Sequence, residues 1–363
     1  MTHSQFTLSR SNLLHNFNFF RSKLSLSTKM LVLVKANAYG HGDIECSRLL
    51  EEFGADYLGV AFPIEGIRLR KEGIKLPIII LTPGIDNFEE IIKYGLEPSI
   101  IDFESASKML ETLLRLNISS YPIHIKLDTG MHRVGFDKND INKLKELLLS
   151  NPNMIVKSLF SHLAAADESK HDEFTRSQIE LFRHMSENLT SSLGYRPILH
   201  ILNSSGTERF PEAQMDMVRI GVGMYGTSYV DESVLKPAGS LQAPVIHIKE
   251  ITEGTVGYGR HGAIGDTGRV IATVPLGYAD GVNRHLGRGS ASFSLNGNLV
   301  PTIGNICMDT FMLDITGTEA KVGDVVTVFG ESPKASDIAR ILKTISYEVY
   351  TSVSARVRRV VVP

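Results

Sequence analysis

The chain of 363 residues has no tryptophan, only two cysteines and almost no excess of charge of either sign. Cys46 and Cys307 lie far apart and lack the spacing of metal ligands, so we expect no disulfides, no metal site and a reducing, cytoplasmic environment. Lysine and arginine (38) nearly balance aspartate and glutamate (40), which leaves a net charge of −2. Such a balance provides no basic field for nucleic acid or for an anionic membrane surface.

Long hydrophobic runs are also missing. The longest apolar stretches, such as residues 30–34 and 77–81, are far shorter than the roughly 20 residues that a membrane-spanning helix needs. Residues 1–10 carry no apolar signal region, so we expect no secretion. Hydrophobic residues make up 42% of the chain and charged residues 21%, which is typical of a globular protein. The length allows about two domains, although a barrel of about 250 residues counts as one.

The N-terminal two thirds of the chain repeat one rhythm, in which a short apolar run is followed by a turn and then by a helical segment. The runs are residues 30–34, 57–61, 77–81, 98–102, 122–127, 154–160, 198–202 and 217–221. They are rich in valine, isoleucine and leucine without strict alternation, as parallel strands buried on both faces should be. The rhythm therefore predicts alternating strands and helices.

Between the runs, the hydrophobic period changes to that of an α-helix. The clearest helical patterns are Ala106, Met109, Leu110, Leu113 and Leu114, followed by Ile141, Leu144, Leu147 and Leu148. Pro152 should end the second of these helices, because proline disfavours α geometry in the residue before it. Eight strand-plus-helix units favour an α/β fold with a closed (β/α)8 TIM-type barrel. An open doubly wound sheet, which normally has fewer strands, is the alternative.

The hydrophobic pattern of the sequence changes after about residue 238. Helical periodicity largely disappears, and β-branched runs alternate with glycine turns at residues 244–251, 269–275, 290–293, 300–306, 311–315 and 324–329. One short helix is expected at residues 336–342, and the turn-rich segment 236–239 is typical of a linker. The barrel is thus expected to be followed by a mostly β C-terminal domain.

Lys35 closes the first apolar run and is followed by small and polar residues. In barrels of this kind, catalytic groups lie at the C-terminal ends of the strands. A lysine that is partly desolvated there has a lowered pKa, so its neutral amine can attack a carbonyl and form a Schiff base. The alternative without catalysis is a lysine that simply ends a strand and reaches for solvent.

The loops after the last two strands supply a second feature. Residues 203–206 and 219–223 are rich in glycine and serine, whose backbone amides and hydroxyls can approach a phosphate closely. A lysine after the first strand together with a phosphate cradle after the seventh and eighth suggests a phosphorylated aldehyde, and pyridoxal 5'-phosphate is the common cofactor of that description. Residues 221–226 and 257–262 also match G-x-G-x-x-G, but neither follows the first strand of a βαβ unit, so neither indicates a dinucleotide site.

Eight motifs, in this order, resemble those of the alanine racemase family. They are VKANAYGHG (34–42), IKLDTGMHRVGF (125–136), SHLAAAD (161–167), LNSSGT (202–207), VRIGVGMYG (218–226), VGYGR (256–260), LGYADG (276–281) and GNICMD (304–309). The resemblance implies three segments, namely an N-terminal strand within residues 1–10 that joins the β domain, a pyridoxal-phosphate barrel at 11–237 and the β domain at 238–363. It also implies a homodimer whose sites combine one subunit's barrel with the other's β domain.

The resemblance further implies conversion of L-alanine to D-alanine for peptidoglycan by two bases. Lys35 resembles the Schiff-base lysine and first base, and Tyr258 resembles the second base, which the partner subunit contributes. Opposite faces of a planar carbanion need separate bases, so this division is physically sensible. Arg219 resembles the arginine that faces the pyridine nitrogen, to which it can donate a hydrogen bond but not a proton.

The remaining site residues also follow from the resemblance. The expected cofactor-binding residues, besides Lys35 and Arg219, are Tyr39, His162, Asn203, Ser204, Gly221 and Val222. His162 and Asn203 would orient Arg219 and the ring. Arg133 and Met308 are expected to contact the substrate, with Lys126, Tyr278 and Asp309 in support. Many members of the family carry the lysine at Lys126 as a carbamate, which would pair with Arg133.

Two positions depart from the family pattern. Ala355 stands where many members have a tyrosine that helps to bind the phosphate, and Arg358 replaces a proline. We expect a loss of about 1 kcal/mol of cofactor binding for one missing hydrogen bond, unless Tyr350 compensates. His132 stands where a glycine is frequent, beside Arg133.

Alternative functions stay open at this point. A serine or broader-specificity racemase would share most of these motifs. A basic amino-acid decarboxylase of the same fold is disfavoured by Tyr258 and Arg219, because decarboxylation profits from a protonated pyridine. A non-catalytic vitamin carrier built from the barrel alone is disfavoured by the β domain that carries Tyr258 and Met308.

Overall fold

A computed structural model describes residues 3–265 and 267–363, so the first two residues of the expected segment 1–10 lie outside it. The barrel strands are β2 (Lys29–Leu33), β3 (Tyr57–Val60), β4 (Ile78–Ile80), β5 (Glu97–Ile100), β6 (Tyr121–Lys126), β7 (Met154–Phe160), β8 (Ile198–His200) and β9 (Met217–Ile220). They form an eight-stranded parallel sheet in the order β8-β7-β6-β5-β4-β3-β2-β9. Each of the eight predicted apolar runs therefore matches one strand, although β2, β5 and β6 each begin one residue earlier than predicted.

The two ends of this sheet, β8 and β9, meet and close it. The amide of Asp216 donates to the carbonyl of Leu199 (3.1 Å), and the amide of Arg219 donates to the carbonyl of Leu202 (3.0 Å). The Asp216 carboxylate also accepts a hydrogen bond from the Leu199 amide at 2.9 Å. The predicted closed barrel is confirmed, and the open doubly wound sheet is excluded.

Helices surround the barrel and begin and end where local chemistry requires. They are α1 (Arg10–Ser22), α3 (Asp43–Phe53), α4 (Pro63–Lys71), α5 (Phe88–Lys93), α6 (Phe103–Arg115), α7 (Ile141–Ser150), α8 (Asp172–Leu193) and α9 (Ser204–Arg209), whereas the short α2 (Lys35–Tyr39) is a left-handed turn over residues 36–39. Of the predicted apolar face of α6, Ala106, Met109 and Leu113 are buried but Leu114 is exposed. The Asp102 carboxylate accepts a hydrogen bond from the Ser105 amide at 2.7 Å. As expected, α7 ends just before Pro152.

The C-terminal region and the N-terminal strand form one sheet. Its members are β1 (Gln5–Ser9), β10 (Gly239–Pro244), β11 (His247–Ile251), β14 (Arg269–Val274), β15 (Ser292–Leu295), β16 (Asn298–Ile303), β17 (Phe311–Asp314), β18 (Val325–Phe329) and β19 (Arg358–Val362). In this sheet β1 pairs antiparallel with β10 and parallel with β19. A separate two-stranded ribbon joins β12 (Thr255–Val256) to β13 (Gly262–Ala263). The mostly β C-terminal domain is confirmed.

Several elements of this region differ from the expectation. The strand predicted at 244–251 is two strands, and β10 begins at Gly239 inside the predicted linker. The expected helix at 336–342 is α10 (Ala335–Leu342), and a further helix α11 (Ser346–Thr351) and strand β19 follow it. Strand β19 has a basic, non-alternating sequence because it lies at the edge of the sheet, where burial imposes no strict pattern.

At Gly226, where the chain leaves the barrel, the backbone packs closely against the backbone of Lys236 and Pro237. Gly226 has φ +96°, and a Cβ atom there would lie 2.2 Å from the carbonyl oxygen of Lys236 and 2.6 Å from the Cα atom of Pro237. Both are backbone atoms, so a side chain could be accommodated only by moving the connection between the barrel and β10. None of the helices in the described parts of the chain has both the length and the apolar character required to cross a membrane.

We predict that Gly226→Ala lowers the free energy of unfolding by about 2 kcal/mol or more, because it adds a backbone collision to the strain of positive φ. Gly254 is a matched control, since it has φ +93° and a Cβ atom added to it would meet no other atom within 4 Å. Gly254→Ala should cost only the conformational strain, about 1 kcal/mol. Urea unfolding of both variants measures the difference, and equal losses would contradict the collision.

Candidate active site

Lys35 is followed by a short backbone segment in the left-handed conformation. Residues 36–39 all have φ between +51° and +56°, a left-handed conformation that costs about 1–2 kcal/mol per residue outside glycine. The amide of Ala36 donates to Glu65 Oε1 at 2.6 Å, and the side chain of Asn37 accepts from the amide of Asp43 at 3.0 Å. These contacts hold the turn in place, so the directions of Lys35 and Tyr39 are set by the surrounding structure.

The amine of Lys35 has a lowered pKa. Burial lowers its pKa, the nearby Arg133 guanidinium lowers it further, and the Glu65 carboxylate opposes both. A lowered pKa increases the fraction of the free amine, which is the form that acts as a base or a nucleophile.

The barrel mouth around Lys35 carries several positive charges. The pKa of His162 lies well below its usual value, first because of burial and then because of Arg219, Lys126, Arg133 and Lys35. Burial and four nearby basic side chains therefore act on one imidazole in the same direction and favour its neutral form. Such a cluster suits an anionic ligand that carries a phosphate or a carboxylate.

Arg219 lies at the centre of this cluster. It is 3% exposed, and burial lowers its pKa to about 9, which still leaves it protonated at neutral pH. Its Nη1 group donates to His200 Nδ1 (2.9 Å) and to the His200 carbonyl. Its Nη2 group donates to the carbonyls of Ser161 and Ile201. His162 Nδ1 also lies 3.2 Å from Nη2. Among the described residues, Nε is the guanidinium donor left without an acceptor, and it is available to a ligand.

A cradle of small groups lies beside Arg219. Ser204 Oγ accepts hydrogen bonds from the amides of Gly221 (2.9 Å) and Gly223 (3.3 Å). A Cβ atom at Gly221 would lie 2.8 Å from the hydroxyl oxygen of Tyr39, so only glycine leaves this space open. Val222 follows directly and begins a short 3-10 turn, Val222–Tyr225. Hydroxyls and amides therefore converge here, as a phosphate site requires.

Asn203 has a different contact from the one expected. Its Oδ1 atom accepts a hydrogen bond from the amide of Gly206 at 2.8 Å, so the side chain caps α9. No hydrogen bond joins it to Arg219 within the described parts of the chain. A role of Asn203 in orienting Arg219 and the ring therefore stays a prediction, since its side-chain oxygen already accepts from a free amide at the start of α9.

Lys126 is buried at the end of β6. Burial and the charges of Arg219 and Arg133 hold its pKa well below its usual value. Its Nζ atom lies 5.1 Å from the centre of the Phe160 ring. A neutral amine relieves the repulsion between three cations, and it is also the form that reacts with carbon dioxide, so the geometry suits the carbamate that the resemblance implies.

The candidates from the C-terminal domain form a second group. Tyr258, Tyr278, Met308 and Asp309 line one cavity of about 410 Å³, together with Arg284, Ile306, Cys307 and Thr310. Tyr258 is 72% exposed and Met308 54% exposed. Lys35 is not among the residues that line this cavity. Within one chain, the structure therefore brings together two groups of candidate residues but does not join them.

The departures from the family pattern now have a structural description. His132 has φ +53°, and its Nδ1 atom lies 3.2 Å from Asp128 Oδ2, so an imidazole contact accompanies the left-handed backbone. The Tyr350 hydroxyl is buried and lies 3.2 Å from Thr227 Oγ1, which argues against its replacing the missing phosphate ligand. Ala355 lines a cavity of about 470 Å³ that Arg358 also borders.

Some residues of the site were missed in the sequence. Glu65 holds the left-handed turn, and His200 holds Arg219. Behind His200 lie Ser158 and His124, two fully buried polar residues within strands β7 and β6. A polar residue inside a strand that is buried on both faces could have indicated this network, because buried polar side chains are hydrogen-bonded in folded proteins.

The buried histidines predict how stability depends on pH. Burial lowers the pKa of His124 and His200 and lowers the pKa of His41 to about 4. The unfolded chain, whose histidine pKa is about 6.5, therefore binds more protons than the folded chain as the pH falls. Stability is full above about pH 6.5, and each group removes up to about 1.4 kcal/mol per pH unit below it.

Urea midpoints measured between about pH 7.5 and 5.5 should therefore fall towards acid, over a range that lies above most carboxylate pKa values. His41→Gln should make this slope shallower, whereas substitution of the exposed His285 by glutamine should leave the slope unchanged. A flat or rising midpoint would show that these histidines are already protonated in the folded protein.

Comparison with known proteins agrees with this geometry over the whole chain. The profile of the family described as "Alanine racemase, N-terminal domain" matches residues 8–229, and that of "Alanine racemase, C-terminal domain" matches residues 238–361. Alanine racemase 1 of Clostridium acetobutylicum is 39% identical over 363 residues, which cover 96% of this chain and 92% of the relative. The alanine racemase of Thermodesulfovibrio yellowstonii is 36% identical, with 98% and 96% covered.

Solved structures give the same result. The alanine racemase of Clostridium difficile superposes with a TM-score of 0.93 at 34% identity and covers 100% of this chain and 96% of that chain. That of Bacillus anthracis with bound L-Ala-P superposes with a TM-score of 0.91 at 28% identity, with the same coverage. In sequence and in fold, over both domains, the chain belongs to the alanine racemase family.

Proposed function

We propose that this protein racemises alanine with two bases, Lys35 of one subunit and Tyr258 of a second copy of the chain. The observation that carries the proposal is the division of the site. The barrel mouth holds a lysine of lowered pKa and an anion cradle, whereas the tyrosine lies in a separate, exposed cavity of the C-terminal domain. A second copy that docks its cavity on the barrel mouth would complete both sites, as a two-fold dimer allows.

Pyridoxal 5'-phosphate fits the barrel mouth by the chemistry of its donors. Tyr39, Ser204, Gly221 and Val222 would hold the phosphate, at a cradle that a Cβ atom on Gly221 would fill. Lys35 would hold the aldehyde end, and Arg219 would donate its free Nε–H to the ring nitrogen, with His162 beside it. When bound, this cofactor would draw electrons from the substrate's α-carbon and make the α-proton acidic.

The two bases would then act on opposite faces of the substrate. Lys35, whose pKa is lowered by burial and by Arg133, would accept the α-proton through its free amine on the barrel side. Tyr258 exchanges a proton on the other side through its exposed hydroxyl. Because each base serves one face only, a proton removed by one and returned by the other inverts the α-carbon.

The substrate contacts and supporting residues complete the proposal. Arg133 would bind the substrate carboxylate, and the partner subunit's Met308 would close the opposite side of the pocket. Lys126, as a carbamate, would pair with Arg133. Tyr278 and Asp309 would line the entrance, and Asp309 is already held by Arg356, which lies 2.6 Å away and also contacts Asp280.

Arg219 is proposed to restrict the protein to racemisation. A guanidinium donates a hydrogen bond but does not give up its proton, so Arg219 would leave the ring nitrogen unprotonated. A decarboxylase profits from the opposite arrangement. The carrier hypothesis also loses support, because family matches and relatives span the β domain as well as the barrel. Serine remains the substrate to be compared with alanine.

Several further parts of the proposal rest on the sequence and the family. We propose the segment boundaries 1–10, 11–237 and 238–363, and a supply of D-alanine to peptidoglycan. The cytoplasmic location and the absence of nucleic-acid, membrane and metal partners stay predictions.

The test is exchange of the α-proton of L- and D-alanine with deuterated water in the presence of pyridoxal 5'-phosphate. Lys35→Ala should abolish turnover, because it removes both a base and the cofactor's anchor. Tyr258→Phe should slow exchange from one enantiomer by about 10²–10⁴-fold, because it removes one base only. Lys108→Ala serves as a control, since Lys108 is an exposed partner of Glu111.

Racemisation by Lys35→Ala at the wild-type rate would contradict the assignment of the site. Equal exchange from both enantiomers in Tyr258→Phe would contradict the two-base scheme while leaving the racemase function intact. Release of carbon dioxide in place of exchange would show a decarboxylase.

A further inference from the structure

A chain of buried hydrogen bonds runs from Arg219 through the interior of the barrel. Arg219 Nη1 lies 2.9 Å from His200 Nδ1, and His200 Nε2 lies 2.9 Å from Ser158 Oγ. Ser158 Oγ lies 2.6 Å from His124 Nδ1, and His124 Nε2 lies 2.9 Å from Glu97 Oε2. Each link joins one barrel strand to its neighbour, from β9 through β8, β7 and β6 to β5.

The direction of this chain follows from the groups themselves. A guanidinium can only donate, so His200 Nδ1 must accept, and the proton of a neutral His200 must lie on Nε2. His200 then donates to Ser158, whose own hydroxyl proton is free for His124 Nδ1. The proton of His124 therefore lies on Nε2 and points to Glu97. In this arrangement every donor on the chain has one acceptor.

The charges at the far end favour the same direction. Burial would raise the pKa of Glu97, but hydrogen bonds from His124 and Lys157 outweigh it, so the net shift is downwards and Glu97 is a carboxylate. Lys157 Nζ lies 2.7 Å from Glu97 Oε1. The other ionisable groups near this end are the uncharged phenols of Tyr57 and Tyr121 and the guanidinium of Arg70. A carboxylate has no proton to give, so it can only accept from His124.

Buried polar side chains in the interior of the barrel require an explanation. The interior of such a barrel is normally filled by branched apolar side chains. Here His124 and Ser158 are fully buried and His200 is 1% exposed. A buried polar network replaced by well-packed apolar residues is often no less stable, so stability alone does not account for these residues.

We propose that Ser158, His124 and Glu97 are positioning residues, which fix His200 as a hydrogen-bond acceptor and thereby fix the direction of the free Nε–H of Arg219. The proposal rests on the function proposed above, in which that N–H meets the cofactor's ring nitrogen. If His200 carried its proton on Nδ1, two N–H groups would face each other in a buried site, and the guanidinium would have to turn. The opposite end of the barrel thus controls the group that faces the cofactor.

The first test uses the protein without cofactor and substrate. Histidine 15N NMR, with signals assigned through His200→Gln and His124→Gln, should show both rings neutral and protonated on Nε2 at neutral pH. Ser158→Ala should abolish this single form at His200. A wild-type His200 that is protonated on Nδ1, or on both nitrogens, would overturn the proposal, whether or not the variant folds.

The second test compares Ser158→Ala with a matched control. Ser99 lies opposite His124 on β5, is fully buried, and its hydroxyl has no partner among the described residues. We expect Ser158→Ala to lower kcat about 10-fold with KM for alanine unchanged, because Arg219 acts on the cofactor and one hydrogen bond is lost. Ser99→Ala should match the wild type.

The outcomes separate the two proposals. Equal kcat values and equal NMR spectra for Ser158→Ala and Ser99→Ala would overturn the positioning role while the racemase function stands. A wild-type protein that fails to exchange the α-proton would remove the proposed function, and the proposal about Arg219 with it, even if the tautomers are as expected.

Discussion

Arg219 carries a positive charge inside the barrel, and the rest of the site depends on how that charge is compensated. Three backbone carbonyls and two imidazole nitrogens surround its guanidinium, and no carboxylate of the described residues contacts it. Neutral acceptors keep the charge unpaired and therefore available to a ligand, whereas a carboxylate would cancel it. Burial lowers the pKa of Lys126 and His162, and the positive charge of Arg219 lowers both further. One buried cation thus adds to the effect of burial on its neighbours and leaves a site suited to an anion.

A second constraint is the left-handed turn after the first barrel strand. Four successive residues in this conformation are unfavourable by themselves, and Glu65 stabilises the turn by accepting the amides of Ala36, Ala61 and Phe62. The strained turn determines where the side chains of Lys35 and Tyr39 lie. Lys35 reaches the positive mouth, and Tyr39 reaches Gly221 in the phosphate cradle. The carboxylate that holds the turn also acts on Lys35, so position and protonation state are linked.

The sequence predicted most of the barrel because strands buried on both faces leave continuous apolar runs. It failed for β19, which lies at the sheet edge, and for the boundary of β10, where Gly239 looked like a turn residue. Site residues that end strands were predicted from motifs. The contacts of these side chains were not predicted. Asn203 caps α9, and the hydroxyl of Tyr350 lies within hydrogen-bond distance of Thr227. A residue type shows which hydrogen bonds a side chain can form, but the choice among partners depends on distances that only the folded chain provides.

The division of the site between two copies of the chain is the central claim of this account. It is tested most directly by co-expressing the differently tagged variants Lys35→Ala and Tyr258→Phe and assaying the purified mixture. Random pairing makes half of the dimers hybrids, and each hybrid has one complete site of two, so about a quarter of the wild-type activity should return from two almost inactive parents. A mixture no more active than its parents would show that Lys35 and Tyr258 do not act together across a dimer.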